Sequence, residues 1–141
     1  MSIRVKEILI NYRFYMRNAE LLREDIANLE SELDGIRGQD YSKDKITYQT
    51  EESSVEQLAI EIVEKRSNLH KAEMLLKAID VAVEELEDID KKIIKLKYMD
   101  RNTWNLNWAS VARMVKYEKS WCRRRARKVM DKIEIVLKGI K

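Results

Sequence analysis

Arg123, Arg124, Arg125, Arg127 and Lys128 place five cationic side chains within six residues, interrupted only by Ala126. Such a cluster is too cationic to be only a core element, and it calls for an anionic partner. Arginine grips phosphate or the edge of guanine bidentately, while lysine neutralises phosphate as a point charge. The cluster lies in the stretch NWASVARMVKYEKSWCRRRARKVMDKI, residues 107–133. Asn107 is a good N-cap for a helix burying Trp108, Val111, Ala112 and Val115. A short turn follows at Val115–Glu118, and a second helix is predicted from about Lys119 to Leu137. Its inward face is expected to be Cys122, Val129, Met130, Ile133 and Val136 or Leu137. Lys119, Ser120, Arg123, Arg124, Arg127 and Lys128 then face outward. Two helices so joined have the pattern of a helix-turn-helix, whose second helix enters the major groove by its N-terminal part. Spacing alone puts Lys119, Ser120, Arg123 and Arg124 near bases, with Arg113, Lys116, Arg127 and Lys128 near phosphates.

The charge is gathered at one end. The chain of 141 residues carries a net charge of only +3. Residues 101–141 nevertheless hold 12 Lys/Arg against 3 Asp/Glu, which leaves 16 against 22 in residues 1–100. That asymmetry is the footprint of polyanion binding. With Cys122 the sole cysteine, no intramolecular disulfide can form, which suits a reducing compartment. Charges at Arg4, Lys6, Glu7, Arg13 and Arg17 interrupt the apolar N-terminus, so no signal peptide is expected. No apolar run approaches a membrane span, and a soluble, cytoplasmic protein is expected. No catalytic constellation is visible. His70, the one histidine, sits among charges and reads as solvated, and Cys122 has no partner at metal-ligand spacing. Neither an enzyme nor a cofactor nor a metal site is expected.

The elements that must position the cationic face read as all-α. From Val5 to Ile36, apolar residues recur at alternating steps of three and four: Val5, Ile8, Tyr12, Tyr15, Ala19, Leu22, Ile26, Leu29, Leu33 and Ile36. This is a heptad seam on one long helix. Residues 37–53 lose the period and read as a loop in which the Ile46–Tyr48 run could form an isolated extended piece. A second long helix is predicted from Ser54, with Ser54/Gln57 or Ser53/Glu56 as capping box. Its seam is Val55, Leu58, Ile62, Lys65, Leu69, Ala72, Leu76, Ile79, Val83 and Leu86, apolar but for Lys65. Two seams of equal length imply a long antiparallel helical hairpin, coiled-coil-like. Away from the loop its apolar face widens with Ile3, Leu9, Ile10, Phe14, Met16 and Leu21 on one arm and Met74, Leu75, Ala78, Val81 and Ala82 on the other. Two helices cannot bury so wide a face. Either a second copy of the chain or the C-terminal domain must pack there. Near Glu87–Asp90 the register changes among acidic residues. A new helix from about Asp88 and one continuous helix through Met99 both satisfy the pattern. The expected domains are therefore a hairpin over residues 1–87, for oligomerisation or bracing, and a DNA-binding domain over 88–141. Residues 99–107 read as a turn, Trp104 and Trp108 as core or turn anchors, and Trp121 as lying near the DNA-facing edge.

The order IIKLKYMD followed by W-x-x-V-A-R-M-V-K-Y-E-x-x-W-C-R-R resembles the C-terminal part of the RinA/ArpU-like regulators of phages and prophages, itself similar to region four of bacterial sigma factors. ITYQTEESSVEQLA ahead of a long helix also looks like this family. The likeness covers the C-terminal third well and the rest loosely. It implies control of late phage transcription through sequence-specific binding of promoter DNA. Three positions depart from the pattern: Lys116 stands where the turn glycine is usual, Glu118 where a capping serine is usual, and Arg125 where an apolar residue is usual. The expected partners are double-stranded DNA, host RNA polymerase and further copies of the chain, a dimer being favoured. Two other functions fit the same features. One is a small terminase subunit that recognises viral DNA for packaging. The other is a coiled-coil adaptor whose basic end binds protein.

Overall fold

The computed structural model describes residues 3–37 and 45–139. Every regular element among them is helical. In chain order these are α1 (Ile3–Ile10), α2 (Tyr12–Arg37), α3 (Lys45–Glu84), α4 (Asp88–Ile94), a π-helical turn (Lys95–Met99), α5 (Trp108–Val115) and α6 (Lys119–Lys138). Asn11 separates α1 from α2 only nominally. Its N–H donates to the Glu7 carbonyl at 2.9 Å and its carbonyl accepts from Tyr15 at 3.0 Å, so the helical ladder continues.

Two expectations fail at the start of α3. Ser54 does not begin the helix, and the Ile46–Tyr48 run is not extended, because α3 already starts at Lys45. Loss of an apolar period removes the reason to bury a face, but it does not break a backbone. Nothing between Lys45 and Ser53 is a proline or glycine that would. The remainder of the expected loop, residues 38–44, lies outside the described residues.

Two compact units are present: one comprises Met1–Met16 with Met74–Lys141, the other Arg17–Glu73. The first unit has a core of its own. Val5 and Leu9 of α1, Ile79 and Val83 of α3, Ile93 and Ile94 of α4, and Met130 and Ile133 of α6 form one buried cluster. Each such side chain contributes about 1.5–3 kcal/mol when taken out of water. The C-terminal helices thus cover part of the widened apolar face, burying Leu9, Ala78 and Ala82. Phe14 (71%), Met16, Met74 and Val81 stay exposed.

α3 stops where the acidic cluster begins. Leu86 N–H closes a tightened turn on the Val83 carbonyl at 3.1 Å. Glu87 then takes an extended backbone (φ −61°, ψ 151°) and α4 starts afresh at Asp88. Of the two readings, the new helix is the one observed. Asp88 and Asp90 lie in its first turn, where the helix dipole favours carboxylates. The π-helical turn that follows has a packing reason. Ile93 and Ile94 must share a core with Tyr98 and Met99, all four buried. Residues five apart diverge on an α-helix. Closing the ring at i+5, as Asp100 N–H does on the Lys95 carbonyl at 2.7 Å, brings both pairs inward.

In the second unit Ala19, Ile26 and Leu33, seven residues apart, are buried on α2, as is Ile62 on α3. Arg23 pairs with Glu73 (3.2 Å), Asp25 with Lys65 (3.4 Å) and Glu30 with Arg66 (2.9 Å), so the earliest of the three on α2 meets the latest on α3. Exposed pairs of this kind set register more than they stabilise. Lys65, the one polar seam residue, is half-buried. Its stem covers apolar surface while its ammonium reaches Asp25. His70 is exposed.

Candidate nucleic-acid interface

The candidate residues lie on α5, α6 and the turn between them. Asn107 caps α5 as expected: its backbone is extended (φ −75°, ψ 167°) and its side-chain oxygen accepts from Ser110 N–H at 2.9 Å. Val111, Ala112 and Val115 are buried. Trp108 is half-buried and meets Tyr98 edge-on, with centroids 6.4 Å apart. The Lys97 ammonium lies 5.4 Å from the Trp108 ring centre and donates to the Leu106 carbonyl at 2.7 Å. Desolvation holds this lysine's pKa below its ordinary value. Trp104 is half-buried in the turn segment.

The turn between the helices keeps a glycine-type geometry without a glycine. Lys116 has φ 65° and ψ 39°, the only positive φ among the described non-glycine residues. Its N–H and that of Tyr117 both donate to the Ala112 carbonyl, at 2.8 and 3.2 Å, which closes α5. Glu118 is the N-cap of α6, but its side chain makes no capping hydrogen bond. Those backbone donors are left as an electropositive helix start.

α6 buries Cys122, Ala126, Val129, Met130, Ile133 and Leu137, the expected inward face with Ala126 added. Burial pushes the Cys122 thiol up from its ordinary pKa. The sequence-selected residues Lys119, Ser120, Arg123, Arg124, Arg127 and Lys128 are all exposed along this helix, as are Arg113 on α5 and Lys116 in the turn. Ser110 Oγ accepts a hydrogen bond from Arg113 at 3.3 Å. Among the described residues no carboxylate pairs with any of these seven cations.

Arg125 differs from its neighbours and leaves the cationic face. Its Nε donates to Asp90 Oδ1 at 2.6 Å and its Nη2 to Asp90 Oδ2 at 3.1 Å, with Glu87 Oε2 2.9 Å from Nη2. The Asp90 hydrogen bond and charge hold the guanidinium pKa above its ordinary value. Asp90 is 2% exposed, the one buried charged residue among those described. A buried carboxylate needs a partner, and this bidentate pair ties α6 to the first turn of α4. Sequence reasoning placed Arg125 in the cationic cluster and missed Asp90. The signal was present in the spacing: Arg125 lies three residues after Cys122 and four before Val129, on the edge of the inward stripe. Trp121 is half-buried, stacked on Tyr117 with centroids 4.3 Å apart.

Among the described residues no helix is long and apolar enough to cross a membrane. No protein-family model matches the chain, and neither a curated protein nor a solved structure is significantly similar to it.

Proposed function

We propose that the chain is a sequence-specific DNA-binding regulator of transcription, with α5 and α6 acting as a helix-turn-helix of the sigma-region-four type. The observation that carries this reading is the row of exposed cations on α6, each without a carboxylate partner among the described residues, beside an arginine that does have one. A solvated structural helix usually balances its charges at i+4, as Lys138 does with Glu134. Lys119, Ser120, Arg123 and Arg124 serve the bases; Arg113, Lys116, Arg127 and Lys128 serve the phosphates. The resemblance to phage regulators directs the reading to late-gene activation in the host cytoplasm, with RNA polymerase as a further partner. α2 and α3 then act as the arm that braces or dimerises the regulator.

Four phosphate contacts imply that log affinity falls with log salt at a slope of about −4. The test is duplex binding followed by fluorescence anisotropy across a salt series, with Arg123→Glu/Arg124→Glu as the variant. Loss of binding with an unchanged helical spectrum supports the reading. Full binding by that variant, or no duplex binding by the native chain at low salt, refutes it. A closed ring of many subunits would instead favour DNA packaging.

A further inference from the structure

The side chains that hold α6 to the core form a ladder, and its last rung lies outside the row of cations. Buried Asp90 grips Arg125. The Arg125 guanidinium carbon lies 5.9 Å from the Trp121 ring centre. Trp121 in turn stacks on Tyr117, the planes 18° apart. Each rung restrains the next, from the interior out to the turn. Tyr117 at the end is 50% exposed. One face of its ring is covered by Trp121, so its exposed area belongs to the other face, the edge and the hydroxyl. Lys116 precedes it and the N-terminus of α6 follows. Glu118 is the one carboxylate in the turn.

A large ring fixed in water at such a place has a use in recognition. Its order costs little on binding, because its rotamer is already held. We propose, resting on the DNA-binding reading above, that Tyr117 is a DNA-backbone contact: its hydroxyl donates a hydrogen bond to a phosphate oxygen and its ring packs on the adjoining deoxyribose. The residue just ahead of a helix inserted in the major groove lies at the groove wall, where the sugar–phosphate strand runs. Bases in an intact duplex remain stacked and offer the ring no free face, which argues for the backbone over a base. The contact is independent of sequence and sets how deeply α6 sits. It also differs in kind from the lysine and arginine contacts, because a neutral phenol releases no counterion.

The test uses the full chain and a generic labelled duplex, titrated by anisotropy at several salt concentrations with Tyr117→Phe, Tyr117→Ala and Lys116→Ala. Tyr117→Phe keeps the ring stack and the fold, and it should bind roughly three- to tenfold more weakly. Its salt slope should equal that of the native chain, whereas Lys116→Ala lowers the slope by about one. Tyr117→Ala should bind more weakly again. Native affinity in Tyr117→Phe overturns the phosphate contact, and native affinity in Tyr117→Ala overturns the sugar contact. If the native chain binds no duplex at low salt, the DNA-binding reading itself falls. If it binds and both Tyr117 variants match it, only this inference falls.

Discussion

Replacing Lys116 with glycine separates the backbone role of the α5–α6 turn from its charge. Lys116 sits in the left-handed region at φ 65° and ψ 39°. A side chain with a Cβ costs about 1–2 kcal/mol there. Glycine relieves that strain but loses roughly 0.5–1 kcal/mol to the greater freedom of its unfolded chain. The Lys116 side chain is exposed, so no buried contact is lost with it. The net expectation for Lys116→Gly is a stabilisation of about 0.5–1 kcal/mol, or a rise in Tm of roughly 2–4 °C for a chain of this size. Urea unfolding followed by helical ellipticity should show a higher midpoint at unchanged m value. The same variant should bind duplex DNA more weakly, with the salt slope reduced by about one. Lys116→Ala is the control, losing the charge but keeping the strain, and it should show the weaker binding without the gain in stability. A lower or unchanged urea midpoint for Lys116→Gly would refute the backbone argument. An unchanged salt slope would refute the phosphate contact and leave the backbone argument standing.

Glu118→Ser should supply the missing side-chain cap of α6, raising stability by about 1 kcal/mol in urea unfolding. It should also tighten duplex binding by removing a carboxylate from the turn. Arg125→Met leaves Asp90 buried without its partner and should lower the urea midpoint clearly, whereas Arg125→Met/Asp90→Leu should recover much of the loss. A double variant as unstable as the single one would show that packing, not the stranded carboxylate, is responsible. Tyr12 donates its hydroxyl to Asp80, and burial together with that carboxylate pushes its pKa up to about 12. Because the folded value lies above the ordinary 10.0, the stabilisation from this phenol is complete below about pH 10 and is lost as pH rises through 12. The absorbance difference between native chain and Tyr12→Phe should show this late titration, and a midpoint near 10 would contradict it.

Most of α6 was legible in the sequence because one period governs it. Cys122, Val129, Met130 and Ile133 follow the three–four spacing inward, and the exposed cations fall between them. Asn107 was legible because a cap is a local device, complete within four residues. Asp90 and Arg125 were not, since their meaning lies in a pairing across 35 positions that no local pattern encodes. The start of α3 was misread because a lost apolar period was taken for a lost helix, although no proline or glycine between Lys45 and Ser53 breaks the backbone. The π-helical turn escaped for the opposite reason. Its insertion makes residues five apart equivalent, a spacing that belongs to neither the helical nor the extended template. The widened apolar face was legible as a need for a partner. Which partner answered it depended on the chain's path after Glu87.

The Asp90–Arg125 grip has one more consequence. A polyanion that drew Arg125 outward would strip the buried Asp90 side chain of its partner, so recruiting this guanidinium to a ligand carries a cost that the exposed cations do not. The same pair ties the pose of α6 to α4. If the proposed DNA-binding reading holds, docking should resemble the seating of a preset key, with only the long lysine and arginine tips left to settle, and should bring little gain in helix content.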